Sequence, residues 1–330
     1  MTIIASTLKP ILVTGAAGFI GANICNALLG RHKAVVGVDN MNDYYDTGLK
    51  HHRLSQLQQS SMFQSRQIDL ADSVAVNTLF TEHEFELVIH LAAQAGVRYS
   101  IENPNAYVQS NLLGFQHILE QCRVQQPAHL VFASSSSVYG NSRRAEFRET
   151  DPTDDPVSLY AATKKSNEVV GHSYAKLYGI PMTGLRFFTV YGPAGRPDMA
   201  YFSFTKAILA GEPIRVFNHG NLERDFTYID DIVNGVLGVA DLPPTELDIP
   251  HRILNLGNNQ PISLTHFIAT LESLLGREAV KEYIGMQPGD VIKTCANIDA
   301  AKALTGYTPS TSIEWGLARF VDWYLDYYGH

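Results

Sequence analysis

The sequence predicts an α/β protein built on a doubly wound parallel sheet, followed by a smaller C-terminal lobe. Three observations predict it. Apolar runs rich in β-branched residues recur at 11–14, 34–38, 87–91, 130–133 and 185–188, with helical stretches between them, and alternating strand and helix means a parallel sheet. The strands are continuously apolar, as in Leu87, Val88 and Ile89, which a sheet covered by helices on both faces requires. Beyond Tyr191 the texture changes to Gly and Pro punctuation at Gly192, Pro193, Gly195, Pro197, Gly211 and Pro213. The expected division is therefore 1–190 for the sheet domain and 191–330 for the second lobe, with a strand near 253–257 able to return to the first sheet.

The elements follow in order. Helices are predicted over 19–29, 73–82, 107–122 and 159–178, the last closed by Gly179 and then Pro181. The 330 residues are 45% hydrophobic and 18% charged, which excludes a disordered or fibrous chain. A net charge of −8 offers no basic field for a nucleic-acid backbone. Cys25, Cys122 and Cys295 form no CxxC pair and no zinc-type cluster, so neither a metal site nor a disulfide framework is expected. The first ten residues carry no apolar core of signal-peptide length, and no window holds eighteen consecutive apolar residues. A cytoplasmic protein, neither exported nor membrane-spanning, is the expectation.

The first strand runs directly into Gly15-Ala16-Ala17-Gly18-Phe19-Ile20-Gly21. Gly15 suits a tight strand-to-helix turn, Gly18 a close approach of backbone amides to a pyrophosphate, and Gly21 close helix–strand packing. Asp39 closes the second strand eighteen residues after Gly21, where its carboxylate can accept from both hydroxyls of an adenosine ribose and would repel a 2′-phosphate. With no Arg between 35 and 46, the Rossmann-type site is expected to take NAD rather than NADP. Asp69 after Ile68 is either an adenine contact or a solvated loop acid. The expected cofactor wall also includes Phe19, Ile20, Asn40, Leu70, Leu91, Ala92 and Ala93.

Tyr160 and Lys164 lie four apart, hence on one helical face. A phenol titrates near pH 10, so a base at this position needs help, and a nearby ammonium and a nicotinamidium ring are together expected to lower it. Upstream, Ser134-Ser135-Ser136-Ser137-Val138-Tyr139-Gly140 follows an apolar strand, placing hydroxyls where open α/β sheets bind ligands. The twelve histidines show no catalytic spacing, and His51-His52 in a polar stretch reads as solvated.

GAAGFIG, Asp39, HLAAQAGVRYS (90–100), SSSSVYG, YAATKK, LRFFTVYGP (185–193), GRPDMA (195–200), RDFTYIDD (224–231) and QPGD (287–290) together resemble the extended short-chain dehydrogenase/reductase family, over nearly the whole chain. Within that family the chain is most similar to members that epimerise UDP-glucuronate at C4. The resemblance implies Tyr160 as the base, Lys164 bridging the nicotinamide ribose, and Ser135 bonding the sugar hydroxyl. It places Asn111 beside the catalytic helix, with Arg224, Gln287 and Asp290 near the nucleotide. For Asn111, Arg224 and Asp290, a backbone-satisfied amide, a surface ion pair and a helix cap remain open readings. Dehydrating or decarboxylating relatives carry an acid after the catalytic Ser or Thr. This chain has Ser136 and Ser137 there, which ranks those reactions, and a non-catalytic NAD-binding role, below epimerisation. UDP-glucose or UDP-N-acetylhexosamine epimerisation is the alternative.

A hexuronate also needs its carboxylate held. Ser136, Ser137 and Thr189 are candidates for its orientation, Arg196 for its charge, and Arg98 for a second anion contact. Arg196 can equally be a rim arginine, and Arg98 a capping or interface residue. The resemblance further implies a homodimer through the helices at 107–122 and 159–178, serving cell-surface polysaccharide synthesis.

Overall fold

The computed structural model describes residues 9–142, 144–286 and 291–329. The first half alternates strand and helix: β1 (Ile11–Thr14), α1 (Phe19–Gly30), β2 (Val35–Asp39), α2 (Thr47–Leu57), β3 (Phe63–Gln67), α3 (Ser73–Glu82) and β4 (Leu87–His90). Two single turns follow, α4 (Tyr99–Glu102) and α5 (Pro104–Tyr107). A π-helical stretch at Val108–Leu113 then leads into α6 (Gly114–Gln125), β5 (His129–Ser135), α7 (Leu159–Tyr178) and β6 (Met182–Phe187). The second half holds β7 (Thr189–Tyr191), α8 (Ala200–Ala210), β8 (Pro213–Val216), β9 (Glu223–Tyr228), α9 (Ile229–Ala240), β10 (His251–Leu256), β11 (Pro261–Ser263), α10 (Leu264–Leu275), β12 (Val280–Tyr283), α11 (Asp299–Thr305) and α12 (Ile313–Tyr328).

Seven parallel strands make the main sheet in the order β10-β6-β5-β4-β1-β2-β3. The order reverses beside β1, so β1 and β4 diverge and open a crevice at their carboxyl ends. β10 joins this sheet along β6, in register from His251 against Met182 to Leu256 against Phe187. α9 packs on α1 and β5, so the later half of the chain supplies both an edge strand and part of one covering layer. The remaining strands form a three-stranded sheet, β11-β9-β7, and a two-stranded one, β12-β8.

The apolar runs are inside because neither sheet face meets water: Leu12, Val13, Val88, Ile89, Leu130 and Val131 are fully buried. One cluster fills the face under α1, α9 and the second half, and another lies under α3 and α6. The three cysteines are buried and unpaired. No described helix is long and apolar enough to cross a membrane.

The helix predicted over 107–122 runs on without a break but is π-wound over Val108–Leu113. Asn111, in the π-helical stretch, accepts from the Gln94 amide at 2.8 Å through Oδ1 and donates through Nδ2 to the Gln94 carbonyl and to Thr163 Oγ1, each at 3.0 Å. Reaching two neighbouring segments from one turn fixes the bulge there.

Candidate active site

One continuous cleft runs along the carboxyl ends of the strands. Its wall carries Gly15, Gly18, Phe19, Ile20, Gly21, Asp39, Asn40, Asp69, Leu70, Leu91, Ala92 and Ala93 at one end, then Ser135, Tyr160, Lys164 and Arg196. The turn after β1 is built for close approach. Gly15 has φ +73°, and a Cβ there would lie 2.8 Å from the Ala92 nitrogen; one on Gly21 would lie 2.1 Å from the Gly15 carbonyl oxygen. α1 then starts behind Gly18 with no side-chain cap and no acid in its first turn, which suits a dinucleotide diphosphate.

Asp39 is fixed from both sides, accepting from the Ala17 amide at 3.2 Å and the Met41 amide at 2.9 Å. Asn40 donates to Asp69 at 3.4 Å. Lys50 on α2 brings its ammonium within 3.7 Å of Asp39 and donates to Asn42 Oδ1 at 2.9 Å. Burial pulls the Lys50 pKa down, and Asp39 opposes the shift. The stretch 35–46 lacks arginine, but the fold brings this cation in from beyond it. Asp39→Asn should therefore weaken NAD binding by about tenfold, one hydrogen bond to a charged acceptor, and narrow the preference over NADP, as read by titrating each cofactor.

At the other end, β5 delivers the serines. Ser134 is turned inward onto Glu168 at 2.6 Å. Ser135 caps the following turn, accepting from the Ser137 amide and donating to its hydroxyl, each at 3.2 Å. Ser136 and Ser137 are partly exposed and stand off the cleft wall. Ser158 caps α7 through the Ala161 amide, which sets Tyr160 in the first turn and Lys164 one turn on.

Lys164 is buried and donates to the Ala133 carbonyl at 2.9 Å. Burial brings its pKa down to about 8. Behind it, the His90 ring shares a 2.9 Å bond with Thr14; burial, then the charge of Lys164, pushes this imidazole down to about 3 and keeps it neutral. The lowering of Tyr160 expected from Lys164 is not found. Burial dominates and raises the phenol above its ordinary value, with the Ser135 hydrogen bond and the Arg196 charge opposing and Asp198 adding to the rise. The ammonium is committed to the strand carbonyl instead.

Arg196 stands over this end, but with its own partner. It forks onto Asp198, Nε to Oδ1 at 3.0 Å and Nη2 to Oδ2 at 2.6 Å. Tyr44 also donates to Asp198 Oδ2, at 3.2 Å. The loop below is clamped by Arg53, which is buried and donates to Ala17, Tyr45, Ala194 and Gly195 oxygens at 2.6–3.0 Å. Ala194 takes two of these bonds while held at φ +52°.

Of the other expected residues, those described are not on this cleft wall. Asn111 sits behind the wall with its amide spent on Gln94 and Thr163. Arg98 rests over the Phe217 ring at 4.9 Å. Arg224 donates to the Glu223 and Ile292 carbonyls at 2.9 and 3.1 Å. Thr189 opens β7, partly exposed and off the cleft wall. Gln287 and Asp290 fall outside the described residues. Tyr44, Lys50, Arg53 and Asp198 went unread in the sequence. Lys50 and Arg53 carried a signal: they share the buried face of α2 with Leu49, Leu54 and Leu57, an unusual place for two cations.

Residues 11–257 match the model of the NAD dependent epimerase/dehydratase family. The chain is 47% identical over 327 residues to a probable UDP-glucuronate 4-epimerase of Rhizobium meliloti (strain 1021), covering 95% of this chain and 96% of that one. It is 49% identical over 331 residues to UDP-glucuronate 4-epimerase 2 of Arabidopsis thaliana, covering 96% and 76%. The crystal structure of UDP-glucuronic acid 4-epimerase from Bacillus cereus with UDP-glucuronic acid and NAD superposes with TM-score 0.89 at 36% identity, covering 97% of this chain and all of that one. With this fold, this glycine turn and a Tyr–Lys–Ser group on one cleft, the chain belongs to the NAD-dependent epimerase/dehydratase family.

Proposed function

We propose that this protein is a UDP-glucuronate 4-epimerase that interconverts UDP-glucuronate and UDP-galacturonate with NAD. The observation that carries the reading is the Tyr160 phenol standing with Ser135, Lys164 and Arg196 on the same cleft wall as the glycine turn. Bound NAD would take the C4 hydride and return it. Gly15, Gly18, Gly21 and Asp39 would hold it, with Lys164 on its ribose.

Tyr160, whose phenolate the positive ring of bound NAD+ would favour, receives the proton of the C4 hydroxyl, and Ser135 orients that hydroxyl. The sugar becomes a flat 4-ketone. Once the ring has turned over about its diphosphate link, Tyr160 gives the proton back at the opposite face, so atoms balance and the product differs only at C4. The ketone is a β-keto acid, and its carboxylate must be kept from the perpendicular arrangement that releases carbon dioxide. Arg196, which lines the cleft beside Tyr160, supplies charge for this. Next to Ser135, Ser134 faces an acid, but Glu168 is itself paired to Arg186, which leaves it unsuited to proton transfer at C5.

NMR of the products from UDP-glucuronate, UDP-glucose and UDP-N-acetylglucosamine tests the assignment. One observation favours the neutral-sugar alternative: Arg196 already holds a carboxylate. Arg196→Gln should therefore be decisive. Turnover of UDP-glucuronate should fall by about tenfold to a hundredfold, the worth of one charge-assisted contact, with little loss on UDP-glucose. Equal losses on both sugars would remove the role.

A homodimer in the cytoplasm, supplying uronic acid for a cell-surface polysaccharide, completes the proposal. Val124, Val169, Leu177 and Tyr178 expose apolar surface along α6 and α7, which supports pairing of these helices between copies. Light scattering reads the oligomeric state.

A further inference from the structure

We propose that Asp198 sets how strongly the site discriminates acidic from neutral sugars, by holding Arg196 as a resident carboxylate that an incoming uronate must share or displace. The inference rests on the functional reading above. Its argument begins with the loop, which has no room to retreat. A Cβ on Gly195 would lie 2.1 Å from the Tyr201 hydroxyl, and the Arg196 amide donates to that same hydroxyl at 3.0 Å. Arg53 grips the two preceding carbonyls. The backbone of Arg196 is thus fixed, so its guanidinium meets a ligand only within the reach of its own side chain.

There, its bonds to described residues run through Nε and Nη2, both to Asp198. The pair is reachable, with side-chain exposures of 24% and 29%, and Arg196 lines the cleft beside Tyr160. Tyr44 reaches across from the loop after β2 to donate to the same carboxylate, and its ring packs on Tyr99 at 4.7 Å, so Asp198 is held as well. A uronate therefore meets a cation already neutralised, and a second anion beside it. A neutral sugar meets no such competition. By this arrangement Asp198 tempers the grip on substrate and product, which carry the same carboxylate, so that neither is trapped.

Asp198→Asn tests it, because the amide oxygen can still accept from Arg196 or Tyr44 while the charge is gone. The KM for UDP-glucuronate should fall by about fivefold, on the scale of one charge contact in a part-exposed site. Its kcat should fall too, as product leaves more slowly. The KM for UDP-glucose should move by less than about twofold. In an Arg196→Gln background the substitution should have no selective effect. Asp198→Ser, which removes the carboxylate with a smaller side chain, should reproduce the change in selectivity if the Asn variant fails to fold. A higher KM for UDP-glucuronate, equal shifts on both sugars, or a selective effect that survives in the Arg196→Gln background overturns the proposal alone. A wild-type protein that does not convert UDP-glucuronate overturns the functional reading and this inference with it.

Discussion

Tyr160→Phe is expected to abolish epimerisation, by at least about 10²–10⁴-fold, the range over which a positioned acid–base group accelerates proton transfer. The substitution removes one oxygen from a ring that stays packed edge-on against Tyr107, with centroids 6.1 Å apart. The fold therefore has no reason to change. Ser135 would keep its bonds to Ser137, and Lys164 its bond to Ala133. What disappears is the group that holds the C4 proton between its departure and its return. NMR should show no UDP-galacturonate from UDP-glucuronate, and absorbance near 340 nm no transient reduced nicotinamide. Cofactor affinity, measured separately, should be near that of the wild type. Residual turnover within tenfold of wild type would show that another group carries the proton, and the assignment of Tyr160 would fall.

Much of this was legible in the sequence, for identifiable reasons. Strands with both faces covered must be apolar throughout, so β1, β2, β4 and β5 stand out. The glycine turn is readable because only Gly tolerates φ +73° at Gly15 without strain and the 2.1 Å approach at Gly21. β3 is harder: its sequence, Phe-Gln-Ser-Arg-Gln, lies at the sheet edge, where only Phe63 is buried. α2 escaped because its mean character is polar, and its two buried cations resemble a solvated face until Ala17, Ala194 and Asp39 are brought to them. The Arg196–Asp198 pair illustrates a more general limit. The motif shows an arginine available for a uronate, whereas the fold shows it already committed. Likewise, the electrostatics of Tyr160 depend on which atoms Lys164 reaches, and helical spacing gives only the shared face.

The largest expected loss of stability comes from Arg186→Met. Arg186 and Glu168 are both buried and form a forked pair, Nε to Oε1 and Nη2 to Oε2, each 2.8 Å. The guanidinium also lies over the Tyr139 ring at 4.8 Å and donates to its hydroxyl at 2.9 Å, and that hydroxyl donates to Asn255 at 2.6 Å. The pair thereby joins β6, α7, β10 and the turn after β5. Removing one partner leaves Glu168 charged and buried with, among the described residues, the Ser134 hydroxyl as its remaining hydrogen-bond donor, which costs about 3–5 kcal/mol. Replacing both with apolar residues of similar volume removes the stranded charge, so Glu168→Leu/Arg186→Met should recover much of the loss seen in Arg186→Met alone. Chemical denaturation of the wild type, the single variant and the double variant reads both effects. A single variant within about 1 kcal/mol of wild type, or a double variant no better than the single, would mean that water or a rearranged side chain satisfies Glu168. The consequence for catalysis follows from chain geometry: Glu168 lies one turn beyond Lys164, and Ser134 directly precedes Ser135. The single variant should therefore lose kcat even where it remains folded, and the double variant should regain stability more fully than activity, because it packs the space but does not restore the Ser134–Glu168 bond that sets α7 against β5.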